Sequence, residues 1–111
     1  MSEQNGFKKV FRVELTMEVA PGNEQQFEEA WLEVGRAVAE HPDNIAQWLA
    51  TSREAPGKYV IVSDWPDEAS FRKFEQAHEQ ADLTQKLRMM RMRGTMETQT
   101  VLHYLSGARA Q

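Results

Sequence analysis

The sequence predicts an α+β fold in which helices cover one face of a four-stranded antiparallel sheet. The apolar residues change period along the chain in the order β-α-β-β-α-α-β, and a Pro-Gly turn joins the second strand to the third. This order is the split βαβ pattern of ferredoxin-like domains. We expect one domain over residues 1–111, with its core between about residues 7 and 105 and frayed ends at 1–6 and 106–111.

The first strand is predicted over residues 7–19, where apolar and polar residues alternate. A period of two places successive side chains on opposite faces of a sheet, so one face of this strand is apolar. The apolar positions are Phe11, Val13, Leu15, Met17 and Val19, and the polar positions are Arg12, Glu14, Thr16 and Glu18.

The first helix is predicted to begin after Asn23 as N-cap, with Gln26 three residues later in a pattern close to a capping box. It should end before Pro42, because the residue before a proline is disfavoured in the α conformation. Apolar residues recur between these points at helical spacing, which predicts one buried stripe. They are Phe27, Ala30, Trp31, Val34 and Val38.

A hairpin is predicted next, because two β-rich runs at 43–53 and 58–65 flank the turn sequence EAPG. Pro66 stops the second run, and Asp67 can cap a helix that carries Phe71, Phe74 and His78 on one side. The pattern is completed by a shorter helix and an alternating strand, at 80–90 and 95–105.

One face of this sheet has no helix to cover it. That face would carry the polar residues of the first strand together with Trp48 from the second, and a large apolar side chain is rarely left in water without a function. We therefore predict a homodimer in which the two sheets face each other, the arrangement of a dimeric α+β barrel.

The composition, 41% hydrophobic and 27% charged, is typical of a soluble globular protein and predicts a cytoplasmic location without a membrane span. The absence of cysteine excludes disulfides, thiolate nucleophiles and cysteine-ligated metals. A net charge of −4 argues against nucleic-acid binding. Phosphate-binding glycine motifs and metal-ligand spacings are absent, so we predict neither a metal nor a cofactor.

Three segments, PGNEQQFEEAW, HPDNIAQWL and YVIVSDWPDEASFRKFEQ, resemble the antibiotic biosynthesis monooxygenase family of dimeric α+β barrels. The likeness is strongest to small members found with aromatic polyketide and spore-pigment pathways. It implies an oxygenase without cofactors: a phenolic or anthrone-type ring is deprotonated, and its carbanion reduces molecular oxygen. The haem-degrading branch is not matched, because Leu15, Phe74 and Thr84 stand near the places of its asparagine, tryptophan and histidine.

Related folds host several activities, so two alternatives stay open beside the monooxygenase. One is a polyketide cyclase that folds a poly-β-ketone. The other is a non-catalytic partner that binds pathway enzymes or an intermediate.

Two residues are predicted to be catalytic. His78 lies on the apolar stripe of its helix, where it could act as a base or be a satisfied core histidine. Arg88 belongs to the basic segment KLRMMRMR, residues 86–93, and could hold a developing enolate. The same segment could instead pair with the acidic first helix or dock an acyl carrier protein.

The predicted substrate-binding residues combine aromatic rings with two amides. Trp65, at a strand end, could form a cleft wall and donate its indole N–H to a substrate oxygen. A buried Gln47 would need Ser63, a helix residue or a ligand as partner. Of the other histidines, His41 is expected to be exposed and His103 to lie on the last strand. The full binding set is Trp65, Gln47, Asn44, Phe74 and Trp31, although Asn44 also fits a turn.

Overall fold

The computed structural model describes residues 8–78 and 82–110, and its elements follow the predicted order. Their bounds are β1 (Val10–Val19), α1 (Glu24–Ala39), β2 (Ala46–Thr51), β3 (Lys58–Trp65), α2 (Glu68–His78), α3 (Asp82–Met90) and β4 (Arg91–Val101), followed by a 3-10 turn at Ala108–Ala110.

The four strands form one antiparallel sheet in the order β2-β3-β1-β4. At its centre, Leu15 of β1 is opposite Ile61 of β3 on one side and Met96 of β4 on the other. This is the ferredoxin-like topology, and the predicted fold class is confirmed for the single chain. No helix within the described residues is long and apolar enough to cross a membrane.

The turn between β2 and β3 depends on a glycine. Gly57 has a φ of 84°, in the left-handed region that side chains disfavour. A β-carbon at this position would stand 2.8 Å from the carbonyl oxygen of Val19. The backbone N–H of Val19 donates to the carbonyl of Gly57 at 2.8 Å, so the turn is fixed to the end of β1.

The start of α1 differs from its prediction. Asn23 occupies the N-cap position, but its side chain makes no capping hydrogen bond, so the expected capping box with Gln26 does not form. The carboxylate of Glu24 instead accepts a hydrogen bond from the backbone N–H of Gly22 at 2.7 Å. The helix is held by its backbone and by burial of Phe27, which is fully inaccessible.

β4 is displaced by four residues from the predicted strand at 95–105. It pairs with β1 from Val101 opposite Val10 to Arg91 opposite Val19. The ends of β1 therefore set the ends of β4, because a strand residue without a partner has no ladder to join. His103 consequently lies beyond the strand and is exposed, which corrects its predicted position.

The core fills the space between the helices and the apolar face of the sheet in two clusters. One contains Phe27, Tyr59 and Leu87, and the other is built around Trp65 and Phe71. Leu15 and Val34 pack against both clusters.

No helix formed by the described residues covers the opposite face of the sheet. Arg12 forms a two-bond ion pair with Asp64, through Nε to Oδ1 at 2.8 Å and Nη2 to Oδ2 at 2.9 Å. This hydrogen bonding raises the pKa of Arg12, so the guanidinium stays charged. The same guanidinium lies 4.8 Å from the ring centroid of Trp48, which is 40% exposed.

Candidate active site

A cavity of about 500 Å³ lies between the sheet and the helices, and residues from both core clusters line it. This volume is within the usual range of small-molecule sites. Its walls are mainly apolar, with Leu15, Val34 and Trp65 among them, and the polar side chains His78 and Gln47 also reach it. An apolar cavity with few polar groups suits a flat hydrophobic ligand.

Trp65 forms the most deeply buried wall. Its side chain is 0% exposed, and its ring lies 4.7 Å from that of Phe74 and 5.8 Å from that of Phe71, measured between centroids. The indole N–H donates to the hydroxyl of Ser63 at 3.0 Å. Trp65 therefore lies in the cavity wall behind its aromatic neighbours. Its donor is already bonded within β3, unlike the substrate contact expected from the sequence.

His78 lies at the last residue of α2 and lines the cavity. Its ring stacks on Phe74 at 4.3 Å between centroids, and its Nδ1 lies 3.1 Å from the carbonyl oxygen of Phe74. A carbonyl can only accept, so neutral His78 carries its proton on Nδ1 and a lone pair on Nε2. The fold thus fixes the tautomer in which Nε2 can act as a base.

His41 is half-buried, so its predicted exposure is wrong. Its ring packs edge-on against Trp65 at 5.8 Å and Phe74 at 5.5 Å, and lies 6.3 Å from the ring of His78. Its Nδ1 accepts a hydrogen bond from the backbone N–H of Asp43 at 3.1 Å, which places the proton of neutral His41 on Nε2. His41 supports the aromatic wall from behind, without lining the cavity.

Gln47 is satisfied by a helix residue, one of the partners expected from the sequence. Its side-chain N–H donates to the backbone carbonyl of Gly35 in α1. A β-carbon at Gly35 would stand 3.2 Å from the ring of Trp31 and 3.5 Å from the Gln47 amide nitrogen. The glycine therefore allows α1 to approach β2 closely. The sequence analysis missed this contact, although a glycine inside a helical pattern could have indicated it.

The rim of the cavity is basic and open. Arg88 and Arg91 line it from α3 and the start of β4, and both are exposed. Met96, which is 46% exposed, lies on the same side. These exposed residues mark the side on which the cavity reaches solvent.

The basic segment 86–93 is divided by the boundary between α3 and β4. Lys86 lines a separate groove with Glu29 and Glu33 of the acidic first helix, whereas Arg88 and Arg91 line the cavity. Pairing of this segment with the first helix, stabilisation of an enolate by Arg88 and docking of a carrier protein all stay predictions.

The remaining predicted binding residues are distributed as follows. Phe74 and Trp31 line the cavity. Asn44 is not among the lining residues; its amide donates to the carbonyl of Ala46 at 3.3 Å and that of Asp64 at 3.4 Å. It serves the turn before β2, the alternative noted from the sequence. Within the described part of the chain, His, Asp and Glu side chains form no group of three that could hold a metal ion.

The site combines the Nε2 lone pair of His78 with the guanidinium groups of Arg88 and Arg91 and with aromatic walls. A nitrogen base in an apolar cavity can remove a proton from a weakly acidic ring, and a nearby cation can stabilise the resulting anion.

Comparison with known proteins identifies a family and a fold. The family model described as antibiotic biosynthesis monooxygenase matches residues 10–86. No curated protein sequence is significantly similar to this chain.

Solved structures of similar fold include SnoaB, a cofactor-independent oxygenase from Streptomyces nogalater. It is 20% identical, with a TM-score of 0.75, over 91% of this chain and 100% of that one. A conserved protein from Methanosarcina mazei Go1 is 15% identical, with a TM-score of 0.74, over 81% and 90%. An antibiotic biosynthesis monooxygenase is 18% identical, with a TM-score of 0.72, over 80% and 95%. At these identities the structures show the shared fold alone.

Proposed function

The chain belongs to the antibiotic biosynthesis monooxygenase family, and from this membership and the cavity we propose that it is a cofactor-independent monooxygenase. Its substrate is an aromatic polyketide intermediate, whose phenolic or anthrone-type ring it oxidises towards a quinone. The observation that carries this proposal is His78, held on Nδ1 by the carbonyl of Phe74 beside an aromatic-walled cavity.

The reaction begins with a proton transfer. Nε2 of His78 accepts a proton from the ring carbon, and the carbanion passes electrons to molecular oxygen as a carbon–oxygen bond forms. The resulting peroxide anion takes the proton back from His78. The hydroperoxide then breaks its oxygen–oxygen bond and loses water together with the second proton of the same carbon. For an anthrone, one methylene and one O₂ become one carbonyl and one water, so O₂ is the only oxidant required.

Arg88 stabilises the anion formed in the first step. A guanidinium keeps its charge at all relevant pH values, and its planar donors match an enolate oxygen. The place of Arg88 on the cavity rim supports this role, which the sequence also predicts.

Oxygen consumption tests the proposal directly. With dithranol as an anthrone-type probe, His78→Gln should lower kcat by roughly 10²- to 10⁴-fold, because a general base is lost. His103→Gln is the matched control, because that histidine is exposed and outside the cavity, and it should keep the wild-type rate.

Two results would contradict the proposal. If the wild-type protein consumes no oxygen with dithranol or with pathway polyketides, the monooxygenase is excluded. If it converts a poly-β-ketone equally well without oxygen, the chain is a cyclase. Equal rates for His78→Gln and His103→Gln would remove the base from the mechanism while leaving oxygenation in place.

We further propose that the chain acts as a homodimer through the sheet face without helices. Support comes from Trp48, half-exposed on that face, and from three exposed apolar residues after β4. These are Leu102, Tyr104 and Leu105.

A further inference from the structure

The side chain of Arg91 occupies the space that a side chain at position 94 would fill, and it can do so because residue 94 is a glycine. A β-carbon built at Gly94 would stand 2.8 Å from Nη1 of Arg91 and 3.3 Å from its Cζ. Gly94 is opposite Met17, a core residue, so the missing side chain would point to the helix-covered face of the sheet. The guanidinium therefore folds back over β4 on the side of the cavity.

The described ion pairs do not account for this cation. They join Arg12 to Asp64, and Arg72 to Glu68 and Glu75. Glu75 also lines the cavity, but its carboxylate is bonded to Arg72 at 3.1 Å. Among described side chains, none of these pairs includes Arg91.

We propose that Arg91 selects substrates bearing a carboxylate remote from the reacting ring. The inference rests on the proposed function, in which the flat aromatic body lies against the wall that Trp65 and Phe74 form together. The anionic end then reaches the open rim, where the planar guanidinium can donate two parallel hydrogen bonds to a carboxylate. Arg88 remains available for the enolate.

Three variants separate the effect of the position of the Arg91 guanidinium from the effect of its charge. Arg91→Gln removes the cation. Gly94→Ala keeps it but forces the guanidinium aside, and this should cost the fold little because the crowded atoms are the far end of a flexible side chain. Arg93→Gln removes an equal charge from an exposed residue of the same strand that does not line the cavity.

Binding is measured by quenching of tryptophan fluorescence with anthraquinone-2-carboxylate and its neutral amide. The wild-type protein should bind the acid about fivefold more tightly than the amide, as expected for an ion pair at an exposed rim. In Arg91→Gln and Gly94→Ala the ratio should fall to about one, with the affinity for the amide unchanged; Arg93→Gln should keep the ratio.

Equal affinities of the wild-type protein for acid and amide would overturn the proposal. So would an equal loss in Arg91→Gln and Arg93→Gln, because the preference would then come from the overall charge of the segment. Oxygen uptake is a separate measurement. Retained carboxylate preference without oxygen uptake would leave this inference standing and contradict the monooxygenase.

Discussion

Tyr59 is the buried residue whose ionisation the fold opposes most clearly. Its side chain is 2% exposed, its ring lies 4.8 Å from that of Phe27, and its hydroxyl donates to the carboxylate of Glu28. Burial, assisted by this hydrogen bond, raises the pKa of Tyr59 to about 12. An unfolded tyrosine ionises near pH 10. The contribution of the protonated Tyr59 hydroxyl to the free energy of unfolding is therefore complete below about pH 10 and is lost as the pH rises towards 12.

We expect Tyr59→Phe to reveal this pH dependence. Near pH 7 the variant should be less stable by about 1 kcal/mol, because one hydrogen bond is lost. Above pH 10 the difference in stability between the two proteins should shrink. The unfolded wild-type protein then releases the phenol proton that the folded protein keeps, and this favours unfolding. Urea unfolding at both pH values measures the free energies. A difference that stays constant between pH 7 and pH 11 would contradict the raised pKa.

For individual residues, the sequence predicted which side chains reach the cavity more successfully than it predicted the contacts that they make there. Alternation along β3 and helical spacing along α2 placed Trp65 and His78 on one side. The hydrogen bond from Trp65 to Ser63 joins two residues that are two positions apart on the same face of β3. The alternation of a strand therefore predicts that these two side chains are neighbours. The position of His41 did not follow, because its contacts with Trp65 and Phe74 depend on how the chain after α1 packs against α2.

At the scale of elements, α2 matters most, because it carries Phe74 and His78. Its first turn is capped by Asp67, whose Oδ1 accepts a hydrogen bond from the backbone N–H of Ser70 at 2.8 Å. This bond, with a further one to the Ser70 side chain, lowers the pKa of Asp67. The cap predicted from Pro66-Asp67 is thus confirmed, and its contribution should be lost as the pH falls through the lowered pKa.

Asp67→Ala should expose the first turn of α2. We expect faster amide hydrogen exchange at Ser70, since its N–H loses its acceptor. Asp67→Asn keeps an oxygen acceptor and is the control: protection should remain, without the decline at acidic pH seen in the wild-type protein. Equal exchange in the two variants would show that the charge of Asp67, and not its hydrogen bond, holds the turn.

The elements also show where sequence patterns reach their limit. β3 was predicted at 58–65 and has these bounds, because Gly57 and Pro66 mark both ends. β4 lacks such markers, and its position is set by pairing with β1, which no local pattern records. The four-residue displacement has a structural consequence. It places Arg91 and Gly94 inside the sheet, where their backbone spacing brings the guanidinium over the glycine.

In the molecule as a whole, helices cover one face of the sheet, and the described residues leave the other face bare. The bare face is organised around a charged pair, because Arg12 binds Asp64 and lies over Trp48. Val62 on that face is only 5% exposed, so the monomer already buries part of it. A second copy would complete the burial of Trp48, and a buried aromatic residue beside an arginine is the usual composition of an interface centre.

Trp48→Glu should therefore convert the proposed dimer into a monomer. The change removes the aromatic ring and adds a negative charge near Asp64 and Glu14, so two such faces would repel each other. Leu32→Glu is the matched control, because Leu32 is 45% exposed but lies on α1, away from this face. Light scattering during size exclusion should give the mass of two chains for the wild-type protein and for Leu32→Glu, and of one chain for Trp48→Glu. Circular dichroism establishes that Trp48→Glu keeps its fold, and a wild-type protein with the mass of one chain at micromolar concentration would disprove the dimer.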